Sequence, residues 1–211
     1  MSPSVSPKKV AFFLLCIFLS PFATCLALKA NIGTGAYSAL SKTLSPLLNI
    51  KIGTLQAIFN SVCILVEWII LKKDFKLRHF LQFFMAIAMG SLTNYFYYIF
   101  FANFSLENYV LRVVLLIVGD IINSFAVATL LNLKLVSTPL GGMCHVVSNA
   151  LKKPYAFSRQ SVDVLCLIII AIAVLFFHGE LTVREGTILS ALEFGPMVDF
   201  WLAKTKKLAE E

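Results

Sequence analysis

Read for apolar and polar positions, the chain resolves into long apolar runs separated by short polar breaks. A helix needs about 20 mainly apolar residues to cross a hydrocarbon core. Six runs reach that length, near residues 10–28, 54–71, 80–102, 109–133, 160–178 and 183–203. Two further stretches, 30–52 (ANIGTGAYSALSKTLSPLLNIKI) and 135–156 (LVSTPLGGMCHVVSNALKKPYA), are less apolar and rich in Gly, Pro, Ser and Thr. They read either as extra crossings or as half-length segments that enter the membrane and return. The first apolar run follows Lys8-Lys9 in the manner of a signal sequence but outlasts signal-peptide length, so an uncleaved first span is expected.

Composition fixes the class. The 211 residues are 59% hydrophobic and 14% charged, where a soluble domain is about 45–50% apolar and about 25% charged. That excludes a disordered chain, an ordinary soluble enzyme and a nucleic-acid binder, and leaves a polytopic membrane protein whose first partner is the lipid bilayer. The net charge of +7 comes from 18 Lys and Arg against 11 Asp and Glu. These bases sit between apolar runs, where they set topology.

Charge also decides between the two readings of the broken stretches. With six spans and a cytoplasmic N-terminus, the inner segments hold Lys8, Lys9, Lys72, Lys73, Lys76, Arg78, Lys134, Lys152, Lys153, Arg159, Lys204, Lys206 and Lys207. The outer ones hold only Lys29, Lys42, Lys51, Arg112 and Arg184. Two extra crossings would put KKDFKLRH (72–79) outside, against the positive-inside bias. The expected fold is therefore an all-α polytopic membrane protein, a single integral membrane domain with six transmembrane helices, two re-entrant segments and both termini inside.

The order span, broken segment, span, span occurs twice, in 1–104 and in 105–211. A slide of 104 residues pairs Thr34 with Thr138, Leu47 with Leu151, Gln56 with Gln160 and Ile64 with Ile168. A one-residue gap then pairs Gly90 with Gly195 and Asn94 with Asp199. Three spans per half would set the halves in opposite orientations, the inverted-repeat plan of many secondary transporters, where broken segments in matching positions mark the binding site.

Ionisable residues inside spans are costly and carry function by default. Glu67, Asp120, Asp163, Glu193 and Asp199 fall in predicted spans. Glu67 and Asp163 lie near span ends, where interfacial charge accounts for them. Asp120 is central to its span, with Asn123 one turn on, and Glu193 is central to the last. Along that last span Gly186, Ser190, Glu193 and Met197 recur at helical spacing and share a face. If the broken segments re-enter, Gly33, Thr34, Gly35 and Tyr37, with Ser137, Thr138, Gly141 and Gly142, line a cavity, because irregular backbone at membrane depth is tolerated only there or inside protein.

The remaining chemistry is sparse. Gly33-Thr34-Gly35 lacks the Lys-Ser/Thr that follows in a phosphate loop. Cys16, Cys25, Cys63, Cys144 and Cys166 have no ligand spacing and read as small buried hydrophobes. His79, His145 and His178 stand at segment ends, His145 alone in a broken segment. Trp68, Tyr95, Tyr97 and Tyr98 read as interface anchors. No cofactor, no metal site and no enzyme is expected.

The stretches GTGAYSAL (33–40), IGT (52–54) and REGTILSALEFGP (184–196) resemble the YczE/YyaS/YitT group of bacterial integral membrane proteins, over roughly residues 20–200. The resemblance implies a multi-span protein of the bacterial plasma membrane and no particular activity. STPLGGMC (137–144) departs from the Gly-x-Gly of the first half.

The leading expectation is a small transporter or exporter of an unidentified small solute, coupled to protons through a carboxylate. The candidate binding set is Gly33, Thr34, Gly35, Tyr37, Asn94, Asp120, Asn123, Thr138, Gly141, Gly142, Glu193 and Asp199. The alternative is a non-catalytic binding subunit or accessory protein of a larger membrane complex; self-association into a homo-oligomer is the other partnership left open.

Overall fold

Eight helices of 13 residues or more carry the chain in a computed structural model that describes residues 7–75, 77–133 and 135–210, without the side chains of 77, 78 and 207–210. The charges expected at Lys76, Arg78, Lys134 and Lys207 lie outside that description. The helices are α1 (Pro7–Ala30), α2 (Ala36–Leu48), α3 (Ile52–Leu71) and α4 (Gln82–Tyr95), the last prolonged by a wide turn at Phe96–Phe100. They continue as α5 (Tyr109–Leu133), α6 (Pro139–Leu151), α7 (Tyr155–Phe177) and α8 (Glu185–Glu210). Among the described residues there is no strand.

Five helices are long and apolar enough to cross a membrane: α1, α3, α4, α5 and α7, with the turns that extend α3 and α4. The expected sixth span, 183–203, is not among them. The region 183–203 does form a helix, the 26-residue α8, but Glu193, Asp199 and Pro196 dilute its apolar content. The outward surfaces suit lipid: Leu175 is 74% exposed, Phe176 73% and Phe84 64%, a degree of apolar exposure that water would not tolerate over a whole surface.

The two broken segments each hold a short extended stretch and then a half-length helix. α2 and α6 have 13 residues each, about 20 Å at 1.5 Å per residue, well short of the hydrocarbon thickness of about 30 Å. Both stop in the same way, with Asn49 and Lys152 in the left-handed conformation, the usual geometry after a last turn. Pro139 stands at the start of α6, where its missing N–H costs nothing.

Contacts sort the helix ends into two groups. At one end, the amide of Gly186 donates to Ile32 at 2.9 Å, Ile52 donates to the Tyr98 hydroxyl at 3.3 Å, and Tyr109 donates to Glu185 at 3.2 Å. At the other, Gln82 donates to Ser137 at 2.9 Å, His79 pairs with Glu67 at 2.9 Å, and Asn132 donates to Leu202 at 2.8 Å. The extended stretch 31–35 belongs to the first, or Asn31, end; 135–138 belongs to the second, or Lys152, end. Each is pinned to the start of a long helix: Thr34 donates to Thr187 on α8, as Gln82 on α4 donates to Ser137.

The N-termini of α3 and α7 are satisfied from the neighbouring helix. The amide of Gly53 donates to Asn94 Oδ1 on α4 at 2.9 Å, and that of Ala156 to Asp199 Oδ2 on α8 at 3.2 Å. Free N–H groups of a first turn need such acceptors. Close packing brings the donor and acceptor together: a Cβ on Gly90 would lie 2.5 Å from the carbonyl oxygen of Gly53. Asn94 and Asp199 thus do the same work, each accepting from a first-turn amide of the neighbouring helix.

The 104-residue slide does not hold over the broken segments. α6 starts at Pro139 and α2 at Ala36, α7 at Tyr155 and α3 at Ile52; both intervals equal the 103 that separates the hydrogen-bonded pair Ser20 and Asn123. One residue on a helix is a rotation of about 100°. At that interval Gln56 falls with Arg159 and Asn60 with Asp163.

Candidate functional site

A cavity of about 90 Å³ lies at the centre of the bundle, and all eight helices contribute to its wall. α1 supplies Ser20, Pro21 and Thr24, α3 supplies Gln56 and Asn60, and α4 supplies Met89, Gly90 and Thr93. From the second half come Asn123 and Val127 on α5, Tyr155 and Arg159 on α7, and Phe194 on α8. The half-length helices reach it with their first turns: Tyr37 and Ser38 of α2, and Thr138, Leu140 and Gly141 at the start of α6. First turns present free amides and the positive end of the helix dipole.

The wall is polar and mostly tied together. The Tyr37 hydroxyl lies 2.9 Å from Asn60 Oδ1 and 3.2 Å from the Gln56 carbonyl. Ser20 donates to Asn123 Oδ1 at 2.6 Å, and Asn123 Nδ2 reaches Thr24 at 3.5 Å. Arg159 is buried and grips Asp163 one turn along α7, Nε to Oδ2 and Nη2 to Oδ1 both at 3.2 Å. Its guanidinium also lies over the Phe194 ring, 4.9 Å from the centroid, a favourable stacking of cation on aromatic face. Two hydroxyls, Tyr155 OH and Thr138 Oγ1, are buried without a partner. Both pack close to Gly141, where an added Cβ would clash with Thr138 Oγ1 at 2.5 Å and stand 3.8 Å from Tyr155 OH.

Other spaces open toward each end. Gly33, Thr34, Lys42, Glu180, Thr182 and Arg184 line one at the Asn31 end, beside a second that holds Lys29, Lys42 and Arg112. At the Lys152 end a space of about 350 Å³ is lined by Glu67, Asp74, His79, Gln82, Ser137, Gly142 and His145. Among the described residues no three His, Cys, Asp or Glu cluster as metal ligands would.

Of the sequence-predicted residues, Tyr37, Asn123, Thr138 and Gly141 meet in the central cavity. Gly33 and Thr34 line the space at the Asn31 end, and Gly142 that at the opposite end; Gly35 precedes α2 as its cap. Asn94 and Asp199 cap helices and are half-buried. Asp120 is buried on α5 and accepts a short hydrogen bond from Ser190 of α8. Glu193 is half-buried, with a buried Oε1 that no group satisfies. The buried face of α8 runs Gly186, Ser190, Phe194, Val198; the expected face took the three-residue step from Ser190 where the helix uses the four-residue one.

Two expectations are corrected outright. Glu67 and Asp163 are not interfacial: they are 0% and 2% exposed. Each has a basic partner, His79 and Arg159, and a paired charge does not have to reach water. Arg159, read from sequence as a cytoplasmic-side charge, is the charged residue that sequence reasoning missed in the cavity; Ser20, Thr24, Gln56, Asn60 and Tyr155 are among the polar ones it missed. The one-turn spacing of Arg159 to Asp163 was the available signal, since such pairs meet on a helix face. The five cysteines are buried and free, as expected.

No curated protein and no solved structure matches the chain. A match to the Family of unknown function (DUF6198) covers residues 7–203, nearly the whole length, and the protein belongs to that family.

Proposed function

We propose that the protein is a secondary transporter of a small solute, without enzymatic activity, built from inverted repeats over 1–104 and 105–211. In this reading α8 makes the sixth crossing, shielded by its long contact with α5, and α2 and α6 are re-entrant half-helices. The observation that carries the reading is that their first turns, belonging to segments from opposite ends, line one polar cavity. Broken helices whose N-termini meet at mid-depth are how many carriers hold solute between two alternately opened paths.

The basic residues support an orientation. Lys72, Lys73, Lys152, Lys153, Lys204 and Lys206 gather at the Lys152 end, which is then cytoplasmic, with both termini. The likeness of residues 33–40 and 184–196 to the YczE/YyaS/YitT group supports the bacterial plasma membrane as its place. Asp120 is the carboxylate that suits proton coupling, because it is buried, lies one turn from Asn123 in the cavity wall, and has a hydroxyl partner on another helix.

Alternating access is testable before any solute is known. In a chain with the five cysteines replaced, Ser38→Cys is exposed to a membrane-impermeant thiol reagent from each side in separate vesicle preparations. A transporter gives modification from both sides. Modification from one side only would favour a static binding subunit.

A further inference from the structure

We infer that the central cavity takes a small monocarboxylate and that Arg159 selects it; this rests on the reading of that cavity as the solute site. Among the described residues, Arg159 is the one formally charged residue in the cavity wall, and no carboxylate lines it. Asp163 engages Nε and Nη2, and Nη1 has no hydrogen-bond partner among the described residues. A guanidinium carries five N–H donors in a plane, so one edge remains for a second planar acceptor.

The neighbouring groups ask for the same ligand. Tyr155 and Thr138 are 4% and 7% exposed, and their hydroxyl oxygens have no partner. Buried hydroxyls left unpaired are costly, and both belong to residues of the cavity wall, where they can donate to one carboxylate. The first turn of α6 adds its free amides and positive dipole end on the same side. Nothing equivalent stands across the cavity: Gln56 and Asn60, both neutral, occupy the positions that match Arg159 and Asp163, and the Tyr37 hydroxyl lies against the Asn60 side chain and the Gln56 main-chain carbonyl. One charged group and one neutral wall fit a ligand with a single carboxylate.

Size and approach agree. About 90 Å³ accommodates a handful of waters or a solute of similar bulk. At the Asn31 end, Lys29, Lys42, Arg112 and Arg184 surround the openings against Glu180, a field that concentrates small anions. A multiply charged phosphate would meet only one cation in the cavity.

The test is binding to the purified full chain in lipid nanodiscs, followed by thermal shift and calorimetry, with acetate, lactate and pyruvate against acetamide, lactamide and inorganic phosphate. The inference expects saturable carboxylate binding, with the amides at least about tenfold weaker. The double variant Arg159→Gln/Asp163→Asn leaves no unpaired charge and should lose carboxylate binding by about 100-fold. Tyr155→Phe, which removes only an unpartnered hydroxyl, should weaken it by about tenfold and keeps the test open should the double variant fold poorly. Equal binding of acid and amide, preference for phosphate, no binding of any of the three acids, or unchanged affinity in Tyr155→Phe and the double variant would overturn the inference. Uptake of the bound acid into proteoliposomes is measured separately: binding without uptake overturns the transporter reading and leaves the carboxylate site standing.

Discussion

The hydroxyl of Ser20 donates to the side-chain carbonyl of Asn123 at 2.6 Å, joining the middles of α1 and α5 through residues 103 positions apart. The same interval separates the starts of α2 and α6 and of α3 and α7. In the repeat reading, Ser20 and Asn123 are one position seen twice, meeting where the halves meet. A hydrogen bond at that seam also borders the cavity, because Ser20 and Asn123 both line it.

The Arg159–Asp163 pair is expected to behave as a unit. Asp163→Asn alone should destabilise the protein by about 3–5 kcal/mol, because it leaves a buried guanidinium unmatched. Arg159→Gln/Asp163→Asn should cost clearly less than the two single changes added together. Reversible unfolding of all three variants in bicelles measures this, and strict additivity would mean that the pair is not coupled.

The two inter-helix caps give a matched experiment. Asn94→Ala and Asp199→Ala each remove the acceptor of a first-turn amide, on Gly53 and Ala156 respectively, and each should cost about 1 kcal/mol. Asp199→Asn keeps an acceptor and should cost less than Asp199→Ala. Melting temperatures of the four proteins compare them; an Asn94→Ala protein as stable as the parent would remove the cap from the account.

Gly33 holds the extended stretch against α8. Its φ is +105°, and a Cβ there would lie 2.5 Å from the amide nitrogen of Thr187. Gly33→Ala combines a disfavoured backbone with a clash against main chain and should lower stability by more than about 2 kcal/mol. Gly35→Ala, where a Cβ meets nothing within 4 Å, should fall well short of that in the same melting experiment.

Asp120→Asn keeps a hydrogen-bonding group opposite Ser190 but cannot change charge. If Asp120 couples transport to protons, the variant should still exchange solute across a proteoliposome membrane while losing accumulation against a gradient when a pH difference is imposed. Full pH-driven accumulation in Asp120→Asn would assign coupling elsewhere.

Apolar length and charge placement made the helices legible in the sequence, and Gly, Pro and Ser content made the two broken segments stand out. Asn94 and Asp199, four residues after Gly90 and Gly195, stood out because that helix spacing recurs. The one-residue error over α2 and α3 arose because identities such as Gln56 and Gln160 are cheap in sequence, whereas helix starts are set by Gly35, Thr138, Lys51 and Pro154, which share no side-chain type. Arg159 escaped because a basic residue just past Lys152-Lys153 looks like another loop charge. Only the fold reveals that Tyr155 already begins a helix, and that the inner face of its first turns, Tyr155, Ser158 and Arg159, is buried. Glu67 was misplaced for the mirrored reason: its partner His79 lies beyond a break, and periodicity does not cross breaks.

The most direct test of the account is the sidedness of four single cysteines in a chain without the native ones: Asn31→Cys and Asn49→Cys flanking α2, Leu135→Cys and Lys152→Cys flanking α6. Two re-entrant segments from opposite ends predict that Asn31 and Asn49 are labelled together from outside, and Leu135 and Lys152 together from the cytoplasm. Labelling of the two flanks of either helix from opposite sides would make that segment a full crossing and contradict the shared central cavity.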